Sequence, residues 1–133
     1  MKLPLVIIGV PICESKSYIL DKFLANQAEI KENYPNSLIV FAVEDTPAER
    51  KFAAVAGIGR YGEIIYHFLP PDRQFWLYKI ASAREAIRSY TLTTSAEYLM
   101  VCDCDMTYEP NLINLMWAQT KAEARFQSFP LIV

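Results

Sequence analysis

The chain has 133 residues, with 13 basic and 15 acidic side chains, so its formal net charge is −2 at pH 7. Hydrophobic residues make up 53% and charged residues 21%, which suits one folded core and excludes a charged, disordered tail. This charge balance, and the absence of a run of Lys or Arg, argue against nucleic acid or an anionic membrane surface as the main partner.

Membrane and export signals are also missing from the sequence. No apolar stretch approaches the ~20 residues of a membrane-spanning helix, and the apolar start lacks the small-residue cleavage site of a signal peptide. The three cysteines, Cys13, Cys102 and Cys104, are an odd number, which is typical of a reduced, intracellular protein. We therefore predict a cytoplasmic protein with one domain over residues 1–133 and no transmembrane segment.

Short apolar runs alternate with helical patterns along the chain. The first run, LVIIGV, is apolar throughout, which is typical of a strand covered on both faces. Four strands and the beginning of a fifth are predicted, at 5–10, 38–43, 64–68, 98–102 and 130–133.

A helix is predicted after each of the first two strands. Ser15 or Ser17 is expected to cap the first helix, and Pro35 ends it because proline disfavours helical geometry in the preceding residue. The second is a short helix over 48–56 that Gly57 terminates.

Two longer helices follow in the second half of the chain. Asp72 is the expected cap of the third helix, in which Ala83 and Ile87 have the spacing of a buried face. Arg84 lies at the edge of that face. Pro110 suits the first turn of the fourth helix.

This alternation predicts the α/β class, as a three-layer α/β/α, Rossmann-like sheet that is mostly parallel. Ligands of such sheets bind outside the carboxyl ends of the strands. Three polar clusters follow predicted strands, at 11–15, 44–46 and 103–105. We therefore expect the functional site at that edge.

Asp103 and Asp105 are the strongest metal-ligand candidates. On extended backbone both side chains project to the same side, while Cys104 points away. Two carboxylates roughly 6 Å apart at an effective dielectric near 20 repel by about 3 kcal/mol, which a divalent cation would reverse. Oxygen ligands favour Mg²⁺ or Mn²⁺. Two solvated loop aspartates are the alternative interpretation.

Four segments, taken in chain order, carry a resemblance of the whole chain to one known protein family. GVPICES at 9–15 resembles the first-strand motif in which Pro precedes a pair such as Thr-Tyr and then Asn or Glu. VEDT at 43–46 resembles the second-strand Val-Asp-Asp-Gly-Ser motif, and AREA at 83–86 resembles the Ala-Arg-Asn helix. Residues 98–106 resemble the strand that ends in the DxD motif. With these four motifs the chain resembles the nucleotide-binding, N-terminal half of GT-A-fold glycosyltransferases of family 2.

The resemblance implies metal-dependent transfer of a sugar from a nucleoside-diphosphate sugar, of the UDP or GDP type, to an unknown acceptor. Asp105 would bind Mn²⁺ or Mg²⁺ on the diphosphate, and Asp103 would contact the ribose, the metal or both. Glu44 or Asp45 would accept from the base or ribose, and Arg84 would reach the nucleotide. The implied substrate contacts are Pro11, Ile12, Cys13, Glu14, Glu44, Asp45, Arg84, Asp103 and Cys104.

Two departures from the family pattern change these expectations. Cys13 occupies the place of the aromatic that commonly lies against the base, so hydrogen bonds from the second strand gain importance. We favour Asp45 for the base and Glu44 for the ribose or the neighbouring helix. The family's catalytic base lies well downstream of DxD, so we expect it, with the acceptor-binding C-terminal part, beyond Val133.

Two other functions stay open on the sequence. The motif DCDMT at 103–107 also fits the D-x-D-x-T motif of haloacid-dehalogenase-like phosphatases. There Asp103 would attack phosphate and Asp105 would act as general acid, with Mg²⁺. That family also needs a later Lys and an acidic pair, and the latter is missing here. A non-catalytic module that binds a nucleotide sugar is the other alternative.

Overall fold

The computed structural model describes residues 3–126, with side chains to residue 122. Its strands are β1 (Val6–Ile12), β2 (Ser37–Glu44), β3 (Glu63–His67) and β4 (Tyr98–Val101). Its α-helices are α1 (Leu20–Asn33), α2 (Pro47–Ala56), α3 (Trp76–Leu92) and α4 (Leu112–Phe126). Short 3-10 helices cover Glu14–Ile19, Ile58–Arg60 and Pro71–Arg73. The strand predicted at 130–133 lies outside the described residues.

The strands form one parallel sheet in the order β3-β2-β1-β4. β1 is central, and its residue Val6 is paired with Ser37 of β2 and Tyr98 of β4. Helices pack on both faces, so the fold is the three-layer, Rossmann-like α/β arrangement that the sequence predicts. None of the helices within residues 3–126 is long and apolar enough to cross a membrane.

The two faces of the sheet bury different amounts of apolar surface. On one face, alternate residues of β1 and β2 pack with α1, α2 and α4 in the main core. On the other face, α3 packs on the sheet through a smaller cluster of Ala42, Ala83 and Ile87. Because both faces of β1 are covered, Ile7 and Ile8 are each 0% exposed, as the continuous apolar run predicts.

The contact between α3 and β1 is close because Gly9 has no side chain. A Cβ atom at Gly9 would overlap the Cγ2 methyl of Ile87. The glycine therefore lets α3 pack directly against the middle of the central strand.

The helix boundaries agree with the sequence where a cap or breaker acts locally. The Thr46 side chain accepts a hydrogen bond from the Glu49 amide at 3.2 Å and caps α2, which begins with Pro47, one residue before its predicted start. Gly57 ends α2 with a φ of 68°, a conformation that glycine adopts without a steric penalty.

Two predicted caps are wrong. Neither Ser15 nor Ser17 caps α1, because these residues lie in a 3-10 helix and α1 begins later, at Leu20. The Ser15 hydroxyl lies 3.0 Å from the Cys13 thiol. Asp72 does not cap α3, because it lies in the 3-10 turn that the Arg73 amide closes on Pro70. α3 then begins without a side-chain cap.

Candidate functional site

The strand order puts the topological switch point of the sheet between the carboxyl ends of β1 and β4, and we call this edge of the sheet the crevice. From β1 the chain steps outward to β2 and β3, and β4 then returns to the opposite side of β1. At such a switch point the connections leave in opposite directions, and ligands of parallel sheets bind there. The residues that follow the two strands, Cys13 to Lys16 and Cys102 to Asp105, border this crevice.

The two aspartates after β4 lie in a turn. The expectation of extended backbone is wrong here, because residues 104–105 form a turn in which the Met106 amide donates to the Asp103 carbonyl at 3.4 Å. Asp103 is exposed and Asp105 is half-buried, whereas Cys104 is 6% exposed and belongs to the core. The thiol of Cys104 is therefore not available to a ligand, while the carboxylates face solvent.

A basic residue joins the two sides of the crevice. The ammonium of Lys16, in the 3-10 helix after β1, lies 3.1 Å from Oδ2 of Asp105. The hydrogen bond and the charge of Asp105 raise the pKa of Lys16 above its ordinary value. Sequence reasoning missed Lys16, because it is 89 residues from its partner and no local motif links them.

An asparagine of α1 holds the segment that follows the aspartates. The Asn26 amide nitrogen donates to the Tyr108 carbonyl at 2.6 Å, and the Tyr108 amide donates to the Asn26 side-chain oxygen at 2.9 Å. This reciprocal pair satisfies a backbone donor and acceptor that a loop would otherwise leave to water. It fastens the loop after β4 to α1.

The two carboxylates after β2 point to different helices. Glu44 forms an ion pair with Lys79 of α3 at 3.4 Å, and Asp45 forms one with Arg50 of α2 at 2.6 Å. The hydrogen bond from Arg50 lowers the pKa of Asp45. The basic partners were not predicted, although the five-residue spacing of Asp45 and Arg50 across the start of a helix was a usable signal.

Arg50 also contacts an aromatic ring. Its guanidinium lies 3.8 Å from the centre of the Tyr66 ring, in β3. This contact holds Arg50 against the sheet. The guanidinium of Arg50 donates to Oδ1 of Asp45, and Oδ2 of Asp45 has no partner within the described part of the chain.

The segment after β1 supplies a mixture of core and surface residues. The side chain of Ile12 is 4% exposed and belongs to the core, whereas Pro11 and Cys13 are half-buried. Glu14 is exposed, and its amide donates to the Glu49 carboxylate at 3.1 Å. Of the predicted pocket wall, residues 11, 13 and 14 are therefore accessible.

Arg84 is not brought into contact with the other predicted residues. It is exposed on α3, and no hydrogen bond or ion pair joins it to another residue in the range that the structure describes. α3 covers the face of the sheet opposite α1, α2 and α4.

Two concave surfaces lie near the sheet. A groove of about 490 Å³ runs between the 3-10 helix after β1 and α2, and Glu14, Leu20 and Phe52 are among its lining residues. Its volume lies within the range of small-molecule sites. A smaller, apolar cleft of about 110 Å³ lies at the amino end of β4, beside Tyr98 and Trp117, away from the aspartates.

The two aspartates of the turn suit a metal ion that takes most of its ligands from a phosphate compound and from water. Among the described side chains, no three His, Cys, Asp or Glu residues come together as a metal-binding group. Asp103 and Asp105 supply oxygen atoms of the kind that Mg²⁺ and Mn²⁺ prefer, and Mg²⁺ is commonly held by one or two carboxylates plus phosphates. The Lys16 ammonium beside Asp105 shows that positive charge is accommodated there. The residues therefore fit a metal that arrives with a phosphate ligand.

Comparison with known proteins gives no relative. No protein-family model, curated protein or solved structure matches the chain.

Proposed function

We propose that this chain is the nucleotide-binding part of a metal-dependent glycosyltransferase with a nucleoside-diphosphate sugar as donor. One observation carries the proposal: the turn with Asp103 and Asp105 lies at the switch point of a β3-β2-β1-β4 parallel sheet. That edge is where parallel α/β sheets bind ligands. The resemblance of the chain to family 2 of the GT-A fold supplies the reaction type.

The aspartate turn is the proposed site for the metal and the diphosphate. Asp105 and Asp103 would hold Mn²⁺ or Mg²⁺, which would neutralise the charge that develops on the diphosphate leaving group. The reciprocal bonds between Asn26 and Tyr108 keep the loop that follows this turn in place. The chain thus contributes two accessible carboxylates in a turn whose following loop is fastened to α1.

The second strand is the proposed site for the nucleoside. Asp45 is exposed, and its Oδ2 is free to accept a hydrogen bond from a base. Glu44 is the weaker candidate, since it is paired with Lys79 on the α3 side of the sheet. Cys13 and Glu14 would form the wall of the pocket on the β1 side.

Calorimetric titration with UDP and with GDP tests the proposal. We expect Mn²⁺ to strengthen binding of one nucleotide at least about tenfold, and Asp105→Asn to remove that effect, because Asp105 is the proposed carboxylate ligand of the metal on the diphosphate. Asp72→Asn is the matched control, since it removes an exposed carboxylate from the turn before α3. The proposal is wrong if the nucleotides bind equally well without Mn²⁺, or if Mn²⁺ strengthens their binding to Asp105→Asn as much as to the wild type.

Activity separates the two alternatives. A phosphatase that uses Asp103 would hydrolyse p-nitrophenyl phosphate with Mg²⁺ and form a beryllofluoride adduct, and we expect neither. A non-catalytic module would bind the nucleotide with metal and release no UDP or GDP from the corresponding sugar donors, which is also the result for a nucleotide-binding part that lacks its catalytic base. Release of nucleotide that is lost in Asp105→Asn supports the transferase.

A further inference from the structure

The ion pair between Lys16 and Asp105 crosses the crevice from β1 to β4. The other ion pairs of the described residues join Arg50 to Asp45, Lys79 to Glu44 and Arg88 to Glu85, and none of these spans the crevice. Lys16 therefore occupies the place where the metal and diphosphate are proposed to bind. An ammonium and a divalent cation beside the same carboxylate repel each other, so they compete for Asp105.

The ion pair of Lys16 and Asp105 is suited to replacement of the ammonium by another cation. The side chains of Lys16 and Asp105 are 38% and 37% exposed, and half-exposed ion pairs of this kind contribute little to stability. The ammonium contacts one oxygen of one carboxylate, whereas a divalent cation carries twice the charge and, under the proposed function, would use Asp103 as well. A metal ion is therefore expected to displace Lys16 from Asp105.

The backbone of Lys16 is held while its side chain is free to move. The Lys16 amide donates to the Cys13 carbonyl at 3.1 Å, within the 3-10 helix that follows β1. A lysine side chain has four methylene groups and three rotatable donors, so its ammonium can change partners without a backbone movement. A phosphate beside the metal would lie within the same crevice and offer the ammonium a new anionic partner.

We propose, on the basis of the proposed function, that Lys16 is an exchangeable counterion. It neutralises Asp105 in the empty site, leaves when the metal enters, and then binds a phosphate oxygen of the donor's diphosphate. The two roles have opposite effects on affinity. Lys16 weakens the binding of free metal and strengthens the binding of metal with diphosphate.

Calorimetry on Lys16→Gln with two probes tests both roles. We expect Mn²⁺ alone to bind about two- to fivefold more tightly than to the wild type, because a competing cation is gone. We expect inorganic pyrophosphate with saturating Mn²⁺ to bind about five- to tenfold more weakly, because an ammonium donor is lost. Pyrophosphate makes the result independent of which base the site prefers.

Lys22→Gln is the matched control. Lys22 is exposed on α1 and forms no ion pair within the described residues, so its loss changes the net charge equally without touching Asp105. We expect both affinities to stay near the wild-type values in this variant. Thermal denaturation of each variant confirms that the compared proteins are folded.

The outcomes separate this inference from the proposed function. If Asp105→Asn abolishes Mn²⁺ binding while Lys16→Gln changes neither affinity, the counterion role is wrong and the metal site stands. If Lys16→Gln binds both probes more weakly, Lys16 stabilises the aspartate turn and does not compete with the metal. That result also contradicts the counterion role. If the wild type binds neither Mn²⁺ nor pyrophosphate, both proposals fail.

Discussion

Burial separates the three thiols of the chain. Cys102 and Cys104 are 1% and 6% exposed, and burial raises the pKa of each thiol to about 11. Cys13 is half-buried at the border of the crevice. Because the thiolate is the reactive form, the two buried cysteines are almost entirely unreactive thiols at neutral pH, whereas Cys13 is accessible to a reagent in solution.

Alkylation of the native protein checks this difference. At pH 8 we expect iodoacetamide to modify Cys13 first, with Cys102 and Cys104 reacting only after unfolding, as read by mass spectrometry of peptides. Bound nucleotide with Mn²⁺ should slow the modification if Cys13 lines the pocket. Cys13→Ser is the control, and rapid labelling of Cys102 or Cys104 in the folded protein would contradict the burial argument.

Single residues also show how far the site could be predicted. Asp103 and Asp105 were identifiable because two acids directly follow an apolar strand, and strand ends converge at one edge. Lys16 was not, because its role depends on a partner on the other side of the sheet. Its charge alone does not distinguish it from Lys22, which is exposed in the first turn of the following helix.

At the level of elements, the position of α3 depends on one missing side chain. Gly9 lies at the middle of the central strand, and the Cγ2 methyl of Ile87 fills the space of a Cβ. Because Gly9 has a hydrogen atom in place of a side chain, α3 can approach the sheet this closely. The buried cluster on this face also contains two small side chains, Ala42 and Ala83.

Gly9→Ala should destabilise the protein by about 1–3 kcal/mol, because the added methyl overpacks the interface with α3. Urea denaturation measures the change. Gly59→Ala is the matched control: a Cβ there would lie 3.6 Å from Ile64 in ordinary contact, so its effect should stay within about 0.5 kcal/mol. In the Gly9→Ala/Ile87→Ala double variant the loss should be smaller than the sum. Additive losses would contradict direct packing.

The elements were predictable where the signal is local. The run of apolar residues fixed β1, and the glycine after α2 has the left-handed φ that its position predicts. Beginnings of helices were less predictable, because Ser15 and Asp72 are good caps by type but each lies in a 3-10 turn. In both places the choice between a 3-10 turn and an α-helical start depends on packing that the local sequence does not show.

At the scale of the whole molecule, the one histidine is expected to make the free energy of unfolding depend on pH. His67 is the chain's one histidine, and its Nδ1 lies 2.9 Å from the Ser82 hydroxyl. Burial lowers the pKa of His67, the charge of Glu44 raises it, and Lys79 lowers it further. The net direction is downward, so the folded protein takes up the proton less readily than the unfolded chain does.

The free energy of unfolding should therefore fall as the pH falls from about 6.5 through the lower pKa of the folded state, because the unfolded chain binds the proton first. Above pH 6.5 this contribution is fully present. Urea denaturation at pH 7.5, 6.5 and 5.5 measures it, and His67→Gln should have a flatter profile over that interval. Equal slopes in the two proteins would show that other groups cause the dependence.

The strand order also determines when a growing chain acquires its crevice. During synthesis, β1, β2 and β3 emerge in the order in which they lie side by side, so each can pair soon after it leaves the ribosome. β4 must then pair with β1, whose last residue, Ile12, precedes Tyr98 by most of the chain, and closing so long a loop is a late, entropically costly step. A nascent chain therefore presents the carboxylates at the end of β2 well before it presents the aspartate turn, and this edge of the sheet is completed only when β4 pairs with β1.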